Sequence, residues 1–338
     1  PIQHELDSLE KHKVFSIVPY EKGMPVVPVK WIFGVKSDGR RKARTVVFGC
    51  RDKEKYKPSE TSSPTPSSAT VRWLFAYASV KKTNLVHLDT ETAYLHAPID
   101  RPKYVTIPQG IACARKKVVG KLNKSLYELA ISPMCWYKTI DKLLRSNEFV
   151  RSILEPCLYT RTVNSSQILA LVHVDDFLLT NEDRAIIDST VHLLSTHFTI
   201  KNLGFPTRFL GIDISIDPHG NISLTQLVYL DLVLKRVHMD GSKPVVTPIL
   251  AGNEYDKVPQ NDRPPPFNYR SALGHLMYLA NYTHLDIAFA VHFLARYQQD
   301  PQQMHYVMLK RIFCYLNGIR TIGLKYNKKK WKCSGSIY

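Results

Sequence analysis

The chain has 338 residues, 44% of them apolar and 22% charged, and a formal net charge of +17. This length and apolar content suffice for two or three domains with real cores, and they exclude global disorder. The Lys/Arg excess points to a polyanionic partner, nucleic acid first, rather than to colloidal solubility alone.

In chain order, the polar opening Pro1-Ile2-Gln3-His4-Glu5 predicts no secretory leader, and a start at Pro1 reads as a piece of a larger reading frame. A short amphipathic segment with Leu6 and Leu9 leads into a strand-like stretch over 26–35 that holds Lys30-Trp31. Residues 36–57 carry nine basic side chains against three acids. The Ser/Thr/Pro-rich stretch 58–68 contains Pro64 and Pro66, which predicts neither regular helix nor central strand. An apolar helix is expected over 71–80, and a buried strand over 85–89 that ends in Asp89. Ser132-Pro133 reads as a helix start with Ser as cap, followed by Trp136, Ile140, Leu143 and Leu144 at helical spacing. The apolar runs 167–172 and 177–180 flank Asp175-Asp176 and predict a hairpin. Ile187, Val191, Leu194 and Phe198 then mark one helix face. Residues 208–216 read as one strand, 217–221 as a turn and 222–225 as the returning strand. Thr225 is the expected cap of a helix carrying Leu227, Leu230, Leu234 and Val237. Residues 241–266 are loop-rich, and two further helices are predicted over 269–297, broken near Thr283, and over 301–317. After Pro301 there are eight Lys/Arg and no acid.

Apolar runs such as 168–174 and 276–294 are cut by His or Asp before the roughly 18 to 20 residues of a membrane span, so no membrane partner is expected. Cysteines stand at 50, 113, 135, 157, 314 and 333, with no CxxC pair and no His cluster to complete a zinc site. Scattered single cysteines suit a reducing, intracellular compartment. Hairpin strands mixed with helices, without regular βα alternation, predict an α+β fold.

Asp175-Asp176 interrupts an otherwise apolar hairpin. Adjacent carboxylates there repel unless solvated in a turn or neutralised by a divalent metal. Asp89 also ends an apolar run, and strand-end acids brought side by side make a two-metal site. Mg²⁺ suits such sparse ligands because it takes a few carboxylates plus substrate phosphates.

With these residues the sequence resembles the reverse transcriptase of copia-type LTR retrotransposons, from about residue 5 to 326. The resemblance rests on Lys30-Trp31, Lys42-Ala43-Arg44, Leu88-Asp89 with Ala93-Tyr94-Leu95, and Leu126-Tyr127 with Ser132-Pro133 and Trp136-Tyr137. It continues through Glu155-Pro156-Cys157-Leu158-Tyr159, Val174-Asp175-Asp176, Leu203-Gly204, Phe209-Leu210-Gly211-Ile212, Thr247-Pro248, Tyr269-Arg270-Ser271 with Gly274, Leu276-Met277-Tyr278-Leu279 and Asp286-Ile287-Ala288. Their order and spacing together are specific. The resemblance implies a right-hand polymerase with a ferredoxin-like palm: fingers over 1–85 with a returning part near 100–130, palm over 86–99 and 131–218, thumb over 219–265, and a connecting region over 266–338 without an RNase H domain. It implies Asp89, Asp175 and Asp176 as the catalytic carboxylates, Asp89 and Asp175 as Mg²⁺ ligands, Lys42 and Arg44 on the triphosphate, and Tyr94 as an aromatic gate under the sugar. The partners it implies are a primed RNA or DNA template and dNTPs, and the setting a cytoplasmic virus-like particle or the nucleus.

The chain departs from the family's Leu-Tyr-Gly-Leu-Lys-Gln-Ser-Pro-Arg, reading Leu126-Tyr127-Glu128-Leu129-Ala130-Ile131-Ser132-Pro133-Met134. Glu128 replaces Gly, and Ala130, Ile131 and Met134 replace Lys, Gln and Arg; His173 stands for the usual Tyr, and Thr283-His284-Leu285-Asp286 for Thr-Arg-Pro-Asp. Three readings stay open: an active polymerase, a catalytically degenerate copy that keeps the fold and non-specific nucleic-acid binding, or a chain that keeps only the fold.

Overall fold

The computed structural model describes residues 1–35, 39–111, 117–250 and 267–327. Lys36, Cys113, Cys333, the lysines 328–330 and most of the 241–266 loop lie outside them. The chain divides into two compact units of mixed α and β structure, Pro1–Pro66 with Asn84–Gly204, and Ser67–Thr83 with Phe205–Tyr338.

The first unit opens with α1 (Ile2–Lys11), which buries Leu9. After β1 (Phe15–Pro19), the predicted stretch 26–35 appears as two strands, β2 (Val26–Val27) and β3 (Val29–Val35). They part at Pro28, which has no N–H to give a ladder. β3 pairs antiparallel with β4 (Arg41–Val47), from Val29 opposite Val47 to Val35 opposite Arg41. One helical turn, α2 (Pro58–Thr61), forms inside the Pro-rich stretch where none was expected. Pro58 takes the first helical position, where its missing N–H costs nothing, and Glu60 Oε2 accepts the Lys57 N–H at 2.8 Å. The next helix, α3 (Ser68–Lys81), belongs to the second unit.

The chain returns to the first unit with β5 (Asn84–Thr90), the short α4 (Ala93–His96), β6 (Tyr104–Val105), β7 (Val118–Leu122), α5 (Ser132–Ser146), β8 (Val150–Arg151) and β9 (Leu158–Val163). β10 (Ser166–His173) and β11 (Asp176–Asn181) form the predicted hairpin, and α6 (Arg184–His197) and β12 (Ile200–Gly204) complete the unit. Ser132 does not cap α5: its Oγ donates to Leu126 O at 2.6 Å, and Ile131 holds the cap position. The six-stranded sheet runs β12-β5-β11-β10-β9-β8, and the smaller one β1-β7-β6-β2. Side chains alternate across the pleat. Leu88, Ala170, Val172, Phe177 and Leu179 join the core with Trp136, Ile140 and Leu144 of α5 and Ile187 and Leu194 of α6. By that alternation His87, Asp89 and Asp176 stand on the opposite face of the sheet.

In the second unit the stretch 208–216 breaks into β13 (Arg208–Phe209) and β14 (Ile212–Ile216). Leu210 and Gly211 take φ of +48° and +75° between them, and this turns the chain back on itself. β15 (Ile222–Thr225) follows, and α7 (Leu227–Arg236) is preceded at its cap by Gln226, since Thr225 is still strand. α8 (Tyr269–Tyr282) stops at Thr283 as predicted, and α9 (Ala288–Ala295), α10 (Gln303–Gly318) and β16 (Leu324–Tyr326) close the chain. Leu230, Leu234, Leu276, Val291, Leu309 and Phe313 build this core. Among the described residues no helix is long and apolar enough to cross a membrane, and Cys50, Cys135, Cys157 and Cys314 are free thiols.

Candidate active site

His173 pairs with Asp176 across the β10–β11 hairpin, so Val174 and Asp175 alone make its turn. Val174 has φ of +53°, a left-handed conformation that a β-branched residue rarely adopts. Two hydrogen bonds from outside the hairpin hold it there. Trp136 Nε1 of α5 donates to Val174 O at 2.7 Å, and Thr90 N of β5 donates to Asp175 O at 2.8 Å. Strain that neighbours over-determine in this way is characteristic of functional sites.

β5 lies beside β11 in the register that sets Asp89 opposite Asp176, and β12 on its other side sets Lys201 opposite Asp89. The three acids singled out in the sequence thus come to one end of one sheet. Burial, reinforced by Asp89 and Asp176, pushes the Asp175 carboxyl up to about 6, while Arg44 and Lys42 act against it. Burial also raises Asp89, with Asp176 and Glu91 adding to it and His87 and Lys201 opposing. Asp175 Oδ1 is buried with no hydrogen-bond partner. Asp176 Oδ1 is 2.8 Å from His87 Nε2.

Lys42 and Arg44 project from alternate positions of β4, so they share a face, opposite Gly34 and Ile32 of β3. The Arg44 guanidinium lies 4.8 Å from the centroid of the Tyr127 ring. β4 is fixed to α1 by the buried Glu5, whose Oε1 accepts the Thr45 N–H at 2.9 Å. Tyr94 of α4 meets Tyr127 edge to face at 5.8 Å. Its phenol is raised by burial first and then by Asp175, with Arg44 opposing and Glu128 adding. Lys42, Arg44 and Tyr94 therefore all act on or feel the Asp175 carboxylate.

The departures sit in two different settings. Glu128 is exposed, with φ of +64°, where glycine is at ease and glutamate is not. Its carbonyl packs so close to Gly49 that a Cβ on Gly49 would come within 2.6 Å of it. Ile131 is only 2% exposed and belongs to the apolar core of the unit. His173 is half-buried, and burial lowers its imidazole, with Asp176 opposing.

Among the described residues no group of three or more His, Cys, Asp or Glu is arranged to hold a metal ion. The donor set here is sparser: hard carboxylate oxygens, one of them orphaned, beside further negative charge. That set fits Mg²⁺, which keeps waters and takes phosphate oxygens rather than a full protein cage. Sequence reasoning missed His87, Glu5 and Lys201. His87 had a readable signal, because a residue two before Asp89 in a strand shares its face.

A family model described as reverse transcriptase (RNA-dependent DNA polymerase) matches residues 12–251. The chain is 33% identical to the retrovirus-related Pol polyprotein from transposon TNT 1-94 of Nicotiana tabacum, over 94% of this chain and 25% of that one. It is 32% identical to the polyprotein from transposon RE1 of Arabidopsis thaliana, over 92% of this chain and 22% of that one. The chain thus spans about a quarter of the length of these curated relatives. The putative transposon Ty5-1 protein of Saccharomyces cerevisiae is 28% identical over 71% of this chain and 78% of its own.

Proposed function

The chain belongs to the reverse transcriptase (RNA-dependent DNA polymerase) family, as a domain of the kind found in copia-type retrotransposon Pol polyproteins, and from that premise we propose that it extends a primer on an RNA or DNA template by adding dNTPs. The observation that carries the proposal is the register setting Asp176 opposite Asp89, with the orphaned oxygen of Asp175 at the adjoining turn. In the reaction the primer 3′-hydroxyl oxygen attacks the α-phosphorus of the incoming nucleotide. The bond to the bridging oxygen breaks, the hydroxyl proton passes to solvent, and pyrophosphate leaves.

Asp89 and Asp175 would hold Mg²⁺, with Asp176 close by, and when bound Mg²⁺ supplies the charge neutralisation and Lewis acidity of two-metal nucleotidyl transfer. Lys42 and Arg44, side by side on β4, neutralise the triphosphate and orient it. Tyr94 bears on the sugar, where a ring collides with a ribose 2′-hydroxyl. In this reading residues 1–85 and about 100–130 are fingers, 86–99 and 131–218 a ferredoxin-like palm, 219–265 thumb and 266–338 connecting region, in an intracellular setting.

A second reading, a degenerate copy that binds nucleic acid without extending it, is favoured by the strained Glu128 and its charge near Tyr94. Primer extension on a primed homopolymer with Mg²⁺ or Mn²⁺ separates the two. Extension by the parent chain that Asp175→Asn abolishes supports the polymerase. A folded parent that binds primer–template but adds no nucleotide establishes the remnant.

A further inference from the structure

The three acids at the sheet end are not equivalent, and the difference traces to His87. β5 and β11 run antiparallel with Asp89 opposite Asp176 and His87 opposite Leu178. Position 87 is therefore one pleat repeat further from the hairpin turn than position 89. Asp176 Oδ1 meets His87 Nε2 at 2.8 Å, and the His87 side chain is only about one-tenth exposed. A carboxylate oxygen held by position 87 is drawn along the sheet, toward the residue one pleat repeat further from the turn. Asp175 keeps a buried oxygen without a partner, whereas Asp176 has one of its oxygens occupied.

We infer that His87 is a positioning residue: it ties Asp176 back and keeps the metal site a two-carboxylate site that the phosphates of the nucleotide must complete. The inference rests on the metal-binding reading of Asp89 and Asp175. Its physical logic is that divalent-cation affinity rises with the number of charged ligands. A third carboxylate would retain the cation without substrate. A site one carboxylate short binds it firmly only when triphosphate oxygens supply the remaining positions. The hydrogen bond requires the imidazole tautomer with its proton on Nε2.

Mn²⁺ binding to the full chain without nucleotide, followed by electron paramagnetic resonance at pH 8, tests this without any need for turnover. His87→Leu frees Asp176 and is expected to tighten Mn²⁺ binding about fivefold to tenfold. His87→Gln still offers a donor and should stay within about twofold of the parent. Asp176→Asn should weaken binding at least fivefold more in the His87→Leu background than in the parent, a non-additivity that a merely structural role for His87 would not produce. Equal or weaker binding in His87→Leu, or an additive cycle, overturns the inference. Failure of the underlying metal reading looks different, since Asp175→Asn would then leave Mn²⁺ binding of the parent unchanged. The tether is checked independently in the metal-free chain, and in a variant that leaves His87 in place. The ¹⁵N spectrum of the His87 ring should show a protected Nε2 proton that Asp176→Ala exposes to solvent. A ring protonated on Nδ1 alone, or an Nε2 proton indifferent to Asp176→Ala, overturns the inference whatever the metal does.

Discussion

His96 shows how single side chains set the working limits of the first unit. Its ring packs edge to face against Phe198 at 5.2 Å and His12 at 4.5 Å, and its Nε2 is buried without a partner. Burial, with repulsion from His12, pushes the imidazole down to about 4. The unfolded chain therefore binds this proton more tightly than the folded one between about pH 4 and the ordinary value of 6.5. Stability supplied by a neutral His96 is complete above pH 6.5 and is lost as the pH falls toward 4. His96→Leu should flatten this part of the pH–stability curve, by on the order of 1 kcal/mol after discounting for partial exposure; urea titrations at pH 5 and 7.5 measure it. Glu128 and Ile131, paired in the sequence as departures from one motif, separate at this scale. Glu128→Gly relieves a left-handed residue and should raise stability by about 0.5 to 1 kcal/mol. Ile131→Gln puts an amide into the apolar core and should lower it by about 1 to 3 kcal/mol. Thermal unfolding of the two single variants, expected to shift in opposite directions, decides whether position 131 tolerates the family's residue in this chain.

At the level of elements, the β10–β11 turn depends on a helix remote from it in sequence. Trp136 supplies the one hydrogen bond from α5 to Val174 O, so Trp136→Phe keeps most of the packing and leaves that carbonyl without its donor. A loss of about 1 to 3 kcal/mol is expected, with faster amide exchange at residues 173–177 than elsewhere in the sheet. Wild-type exchange at the turn in this variant would mean that the register with β5 alone holds it. The hairpin itself was legible in the sequence, because two apolar runs around a pair of acids have few other solutions, and so was the helix break at Thr283. The split at Leu210-Gly211 was not, although Gly211 stood in plain view: one glycine in a strand pattern reads equally as a bulge or a turn, and the left-handed Leu210 beside it has no signature. Ser132 was misread because capping depends on which backbone groups lie within reach, and here Leu126 O claims the hydroxyl. The same limit applies to the site. Strand-end acids announce themselves by interrupting apolar runs. The spacing of His87 from Asp89 gives its face but not its partner Asp176, and Glu5 is identified only by the neighbours that packing gives it.

For the molecule as a whole, the quantity that matters is the +17 charge, from 46 Lys and Arg against 29 Asp and Glu. The charge is spread unevenly along the chain. Residues 36–57 and the stretch after Pro301 are strongly basic, while the candidate site concentrates acids. A nucleic acid held by such a surface is bound chiefly through its phosphates, and each phosphate neutralised releases condensed counterions. Affinity for primer–template should therefore be largely independent of sequence and fall steeply with salt. With about six phosphates contacted, the loss between 50 and 200 mM is on the order of a thousandfold. Fluorescence anisotropy with a labelled primer–template across that range gives the slope directly. Asp175→Asn should leave the slope unchanged, because it alters the proposed reaction centre and not the number of phosphates neutralised. Lys42→Ala and Arg44→Ala should act mainly on nucleotide affinity, leaving the duplex slope within about one unit of the parent. The active polymerase and the degenerate copy share this salt dependence, so a steep slope separates both from a chain that keeps only the fold. Binding that does not change between 50 and 200 mM would reject nucleic-acid recognition by the basic surface, and with it both readings.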